Sequence, residues 1–352
     1  SAKMELSDAN LQTLTEYLKK TLDPDPAIRR PAEKFLETVE GSQNYPLLLL
    51  TLLEKSQENV IKVCASVTFK NYIKRNWRIV GIRSIFYSDL SVCVNCNLWC
   101  KVLHVEDEPN KIFESDRIAI KANIVPLMLS SPEQIQKQLS DAISIIGRED
   151  FPQKWPDLLT EMVNRFQSGD FHVINGVLRT AHSLFKRYRH EFKSNELWTE
   201  IKLVLDAFAL PLTNLFKATI DLCSTHANDA SALKVLFSSL ILIAKLFYSL
   251  NFQDLPEFFE DNMETWMTNF HSLLTLDNKL LQTDLVSNAI QFLASVCERP
   301  HYKHLFEDQN TLTSICEKVI VPNMEFRAAD EEAFEDNSEE YIRRDLEGSG
   351  NP

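Results

Sequence analysis

The sequence predicts an all-α fold built from short, paired amphipathic helices, and three observations carry that expectation. Only 7 glycines occur in 352 residues, whereas β-sandwiches and nucleotide-binding α/β folds need glycine at turns and phosphate loops. Apolar residues recur with a helical period that is punctuated roughly every 12–20 residues. Prolines 132, 156, 211, 256 and 300 fall near expected helix starts or breaks, where a missing N–H costs least.

Taken in order, Ser7 can cap a helix carrying Leu11, Leu14, Tyr17 and Leu18, which ends before Asp23-Pro24-Asp25-Pro26. Residues 27–40 form a second, with Ile28, Ala32, Phe35, Leu36 and Val39 on one face. Tyr45-Pro46 opens a third, through Leu53, and a fourth spans 59–77 with Ile61, Ala65, Phe69, Tyr72 and Ile73 inward. The pattern breaks over 81–105, which is rich in β-branched and aromatic residues and poor in charge. It resumes at 112–129, 132–147, 156–167, 171–189, 195–217, 229–250, 255–276, 279–297 and 302–319. From Ala328 the chain turns acidic, with Asp330, Glu331, Glu332, Glu335, Asp336, Glu339 and Glu340, as solvated loops and helix edges do.

Short helix pairs in succession cannot each bury an apolar face alone, so they stack, as an α-solenoid or as an irregular helical bundle. The number and brevity of the helices favour the solenoid, and the spacing suits a HEAT-type repeat of about 40 residues. The most apolar stretch, Val235 to Leu250, contains Lys245 and is too short and too charged for a membrane span, so it reads as a buried helix. No membrane insertion is expected.

Composition excludes several functions. A net charge of −13, with a pI near 5.2, argues against a general nucleic-acid binder, which needs surplus cations, and suits either basic protein partners or solubility alone. Seven cysteines, an odd number, read as reduced thiols of an intracellular protein, and Ser1–Leu6 lacks the apolar core of a secretion signal. No Gly-rich phosphate loop, Gly-x-Ser-x-Gly elbow or His-Glu-x-x-His occurs, so no catalytic residue and no cofactor are assigned. Cys93, Cys96, Cys100 and His104 form one metal-like cluster. Its ligands are crowded into a single apolar segment rather than split into distant pairs, so thiols without metal are the preferred reading. Lys70, Lys74 and Arg78 advance by about 40° each along the fourth helix and make one cationic stripe opposite its apolar face.

Three ordered motifs carry a resemblance. Ala27-Ile-Arg-Arg-Pro-Ala-Glu-Lys-Phe-Leu-Glu, then Leu47-Leu-Leu-Leu, then Ala65 through Trp77 resemble the importin-beta N-terminal domain, with Arg29, Ala32, Glu33, Lys70, Asn71 and Trp77 on its hallmark positions. Gln138 to Leu159 contains Asp150-Phe151-Pro152-x-x-Trp155-Pro156-x-Leu-Leu, distinctive of a branch of that superfamily, and the acidic stretch runs into Glu340-Tyr-Ile-Arg-Arg-Asp345. The chain is most similar to the exportin branch that returns importin-alpha to the cytoplasm.

That resemblance implies a HEAT solenoid without enzymatic activity that shuttles between nucleus and cytoplasm. Its implied partners are the GTP form of the small GTPase Ran, importin-alpha as cargo, and nuclear pore proteins. It implies Lys70, Asn71, Lys74 and Arg75 as contacts to Ran, and Asp150, Phe151, Pro152, Trp155 and Pro156 as a structural motif locking one repeat onto the next. The expected organisation is an importin-beta N-terminal-type domain over 1–80, an atypical insert over 81–105, and an exportin-type HEAT segment over 106–352. Against the family pattern, helices are expected to be missing near Thr283-Asp284-Leu285. The chain also stops at Gly348-Ser-Gly-Asn-Pro352, about a third of the way through such a receptor.

Overall fold

The computed structural model describes residues 2–78, 112–253, 256–274 and 283–321, with isolated helical positions at 335 and 338. Helices account for the regular structure. Among the described residues the sole β feature is an isolated parallel bridge between Lys3 and Gln43. Two compact units emerge: residues 1–215 with 245–254, and residues 216–244 with 255–352. The expected boundaries at 80 and 105 lie outside the described residues.

That unit begins with α1 (Asp8–Thr21), α2 (Pro26–Val39), α3 (Tyr45–Lys55) and α4 (Asn59–Asn76). It continues with α5 (Glu114–Ser130), α6 (Glu133–Asp150), the short α7 (Leu158–Val163) and α8 (Phe171–Phe185). Local chemistry sets the starts. The carboxylate or hydroxyl oxygens of Ser7, Asp25 and Asp170 accept from the backbone N–H groups of Asn10, Ala27 and His172, which satisfies donors the helix cannot. Consecutive pairs stack through like helices: α3 against α5, and α4, α6 and α8 side by side. Tyr17 stacks on Phe35 at 3.7 Å between ring centroids, closing the first pair. Ile28 departs from the expected apolar face: it is 42% exposed, on the first turn of α2, while Ala32 and Leu36 are buried.

Small residues let α6 and α8 approach. Ser140 and Thr180 share a 2.6 Å hydrogen bond, and the Ser183 hydroxyl donates to that of Ser144 at 3.0 Å. At Gly176 a Cβ would meet Nε2 of Gln136 at 2.6 Å and the Met128 sulfur at 3.2 Å. Gln136 cannot simply swing aside, because it is buried and its amide is held by Arg179 and the His172 carbonyl. Gly176→Ala is therefore expected to lower stability by about 1–3 kcal/mol, the usual cost of overpacking. Thermal unfolding checks this, and an unchanged midpoint would show that the α6–α8 contact is loose.

After α8 the chain tightens into a 3₁₀ turn (Lys186–Arg189) and enters α9 (Asn195–Thr225) and α10 (Ala230–Asn251). The expected helix end at 217 is overrun by two turns, and Pro211, expected at a break, lies inside α9. An internal proline removes one backbone bond and costs about 3 kcal/mol. The surrounding buried side chains Phe208, Leu212, Leu215 and Phe216 outweigh it. Both α9 and α10 are long and apolar enough to cross a membrane by length and composition, yet half of each apolar window is buried within the protein. In α10 the buried set includes Leu240, Ile243, Ala244 and Phe247, together with Ser239 and Ser249, as in a core helix.

His182, on α8, has a pKa lowered to about 3 by burial, with Lys245, Arg189 and Lys186 adding repulsion. The folded state thus holds the imidazole neutral, while the unfolded chain protonates near 6.5. Its contribution is complete above pH 6.5 and is lost as pH falls through that window toward 3. His182→Gln should therefore narrow the gap between thermal midpoints at pH 7 and pH 4.5. Equal acid sensitivity in parent and variant would remove His182 as the cause.

The second unit includes α11 (Pro256–Leu274) and α12 (Thr283–Cys297), a 3₁₀ turn (Pro300–Leu305), and α13 (Gln309–Ile315) passing into a π turn (Cys316–Ile320). A single helix over 302–319 is thus not what forms. Pro300 starts a tight turn, and the Asp308 carboxylate accepts from the Thr311 N–H at 3.0 Å, starting a separate helix. The core here is aromatic: Phe270 lies 4.7 Å from Phe216 and 4.4 Å from Phe292, between ring centroids.

Candidate functional site

The sequence-predicted contact residues sit on α4, and the way that helix is buried determines what they can do. Ile61, Ala65, Phe69, Tyr72 and Ile73 are buried, and α4 is packed against α3 and α6. This fixes the rotation of the helix and leaves Lys70 and Asn71 half-buried and Lys74 and Arg75 exposed. Lys74 and Arg75 also lie in the last turn, where cations complement the helix dipole.

The four residues do not behave alike. The Arg75 guanidinium is drawn to Glu40, at the end of α2, at 2.7 Å, and that hydrogen bond raises its pKa. Arg78, the third member of the expected stripe, reaches Glu149 on α6 at 3.6 Å. Lys70 and Lys74, one turn apart, form no ion pair among the described residues. Of the four cations at this end of α4, Arg75 and Arg78 are thus paired within the chain, whereas Lys70 and Lys74 meet no counter-charge among the described residues.

The Asp150–Pro156 segment closes α6. Asp150, Phe151 and Trp155 are buried, Pro152 is half-buried, and Pro156 is exposed. The peptide bond between Phe151 and Pro152 is cis. Backbone N–H groups of Lys154 and Trp155 both donate to the Asp150 carbonyl, at 2.7 and 3.0 Å, forming a compact turn. Phe151 meets Phe185 of α8 edge-on at 6.4 Å.

Sequence reasoning missed the network that ties this turn to α4. The Asp150 carboxylate accepts from Lys121 Nζ at 2.5 Å, and Lys121 also donates to the Lys154 carbonyl at 3.0 Å. Lys121 and Arg117, a turn apart on α5, stand 5.7 and 4.5 Å from the Trp77 ring, and Arg117 donates to the Trp77 carbonyl at 3.0 Å. Burial lowers the Arg117 pKa. Cations over a partly desolvated indole contribute about 0.5–2 kcal/mol each. Arg117 and Lys121 at i and i+4 were a visible clue, but their target lies 40 residues earlier in the chain. The same elements line a cleft of about 540 Å³ that includes Glu114, Asp157 and Glu161, so its walls carry both signs of charge.

Cys93, Cys96, Cys100 and His104 lie outside the described residues. Among the described residues no three or more His, Cys, Asp or Glu side chains converge as metal ligands. Cys64, Cys223, Cys297 and Cys316 are free thiols.

Comparison with known proteins gives this geometry its context. Residues 32–130 match the Importin-beta N-terminal domain family, and residues 184–284 and 282–351 match the Cse1 family in two segments. The junction of those segments coincides with the site where helices were expected to be missing. Exportin-2 of Homo sapiens and of Bos taurus are each 76% identical over 402 aligned positions, covering 98% of this chain and 39% of the relative. Exportin-2 of Danio rerio is 70% identical over the same share. The alignment is longer than the chain itself, so these relatives carry stretches that it lacks, and the chain spans about two-fifths of their length. Among solved structures, the exportin Cse1 in its cargo-free, cytoplasmic state superposes with a TM-score of 0.68 at 31% identity, over 97% of this chain and 40% of that one. Importin beta, at 17% identity and a TM-score of 0.51 over 83% of this chain and 29% of that one, shares the fold. The helix pairs, the two family matches and the 76% identity agree: the chain belongs to the exportin branch of the importin-beta superfamily and corresponds to the N-terminal part of those HEAT-repeat receptors.

Proposed function

We propose that this chain is the N-terminal part of a nuclear export receptor that takes the GTP form of Ran on α4 and shuttles through the nuclear pore, with importin-alpha as the cargo of the complete receptor. The observation that carries this is the pair of cations Lys70 and Lys74, without an ion pair among the described residues and held on a helix whose other face is core. On a protein of net charge −13, such a pair forms a local attractive field for an acidic surface. Asn71, between them, and Arg75 complete the proposed contact. Asp150 to Pro156 serves it indirectly, by keeping α6 in place against α4. Residues 1–80 would act as the GTPase-recognising domain, 81–105 as an insert, and 106–352 as the start of the cargo-binding array. Exportins are transport receptors, and this reading needs neither a catalytic residue nor a cofactor.

A second reading has its own support. Arg75 and Arg78 are already bound to Glu40 and Glu149, which suits a HEAT scaffold indifferent to nucleotide. Pull-down with Ran loaded with GTP or GDP decides between them: an export receptor prefers the GTP form, and a scaffold retains both equally.

The chain is not expected to complete cargo capture. A solenoid holds partners by wrapping them with distant repeats, and this chain covers 39% of the relatives' length. Sedimentation with importin-alpha and Ran–GTP at micromolar concentration should show no stoichiometric ternary complex. A stoichiometric peak would establish that this stretch of the receptor suffices.

A further inference from the structure

A second cationic surface lies away from α4, where the end of α8 and its 3₁₀ turn meet the end of α10, all within the first unit. His182, Lys186 and Arg189 follow one another at i, i+4 and i+7, the spacing that places side chains on one helical face. The Arg189 guanidinium stands 5.4 Å from the Tyr248 ring of α10, and Tyr248 meets Phe252 edge-on at 5.8 Å. Lys245, one turn before Tyr248, adds a further cation, close enough to repel a charge on His182.

What distinguishes this cluster is that its cations meet no counter-charge among the described residues. Arg187, in the same turn, is neutralised by Glu191 at 2.8 Å and by the Glu200 carboxylate, which also accepts from the Tyr188 hydroxyl. Lys186, Arg189 and Lys245 form no ion pair among the described residues. Arg189 Nε and His182 Nδ1 are buried with no hydrogen-bond partner there. Three cations held together over a neutral imidazole repel one another, and a bound anion would relieve that repulsion. Phe252, 41% exposed beside Tyr248, adds an apolar edge to the charged patch.

We propose that Lys186, Arg189 and Lys245, with Tyr248 and Phe252 at their side, form a docking surface for an acidic peptide segment that carries an aromatic or aliphatic side chain next to its carboxylates. A protein segment is favoured over nucleic acid because the chain's net charge of −13 repels an extended polyanion, whereas two or three carboxylates need only the local field.

The test uses the 352-residue chain and a fluorescein-labelled peptide of alternating Asp and Glu with one central Phe. Fluorescence anisotropy should show saturable binding that weakens as salt rises. Lys186→Glu with Lys245→Glu should reduce affinity by about tenfold or more, and Phe252→Ser should reduce it without changing the salt dependence. Lys70→Glu with Lys74→Glu should leave it unchanged, which separates this surface from the proposed Ran contact. Circular dichroism of each variant establishes that the helices remain. Binding that survives the Lys186 and Lys245 reversals would overturn the proposal. So would equal affinity for an uncharged Ser/Asn peptide, for a single-stranded oligonucleotide or for vesicles containing anionic lipid.

Discussion

Trp155→Ala should unfold this protein more readily than any surface substitution, lowering its stability by about 3–5 kcal/mol, the usual cost of emptying the space of a large buried ring. The ring is 4% exposed. It sits in a turn that cannot relax easily, because two backbone N–H groups, including its own, already converge on the Asp150 carbonyl. The same turn fixes the carboxylate that receives Lys121, and Lys121 and Arg117 cover the Trp77 ring at the end of α4. Damage at Trp155 is therefore expected to spread along the array to the face that carries Lys70 and Lys74. The loss is a large share of the 5–15 kcal/mol that holds a typical domain together, and a midpoint lower by on the order of 10 °C is the expected reading. A thermal midpoint equal to the parent's would mean that the surroundings close over the gap, and the motif would then need a binding role instead.

Reversing Lys70 and Lys74 together to Glu should do the opposite, sparing the fold and abolishing recognition. Neither lysine has an ion pair to lose among the described residues, Lys74 is exposed and Lys70 half-buried, and charges at a surface contribute about 0–1 kcal/mol to stability. An interface built on charge complementarity loses association rate and gains repulsion when two cations become anions. Affinity for Ran–GTP should therefore fall by about a hundredfold at low salt, with a smaller deficit at high salt. Arg75→Ala should cost less, because Glu40 already occupies that guanidinium. Undiminished binding of Ran–GTP by the double variant, at both salt concentrations, would move the contact off α4 and leave the fold assignment standing.

Much of the architecture follows from local chemistry. The apolar period of α4 places Ile61, Ala65, Phe69, Tyr72 and Ile73 inward, and all five are buried. Ser7 caps α1 as its hydroxyl permits, and the positions of Pro132 and Pro256 mark the starts of α6 and α11. Propensity failed where packing overrode it. Pro211 lies within α9 because burial on both sides of it outweighs one lost backbone bond, and the last predicted helix is split because the Asp308 cap competes with simple continuation.

The helical class, the buried faces and, through the motifs, the family can be read from the residues, because all three depend on neighbours close together in the chain. Which charges remain available depends instead on packing between distant helices. Nothing local distinguishes Arg75 and Arg78 from Lys70 and Lys74, yet Glu40 and Glu149 neutralise the first two and leave the others unpaired among the described residues. The same holds for Arg187 against Lys186 and Arg189, separated by the position of Glu200 on α9. Counter-charges arrive from other helices, so the field that a partner meets is set by how those helices stack, at sequence separations that no local pattern reaches.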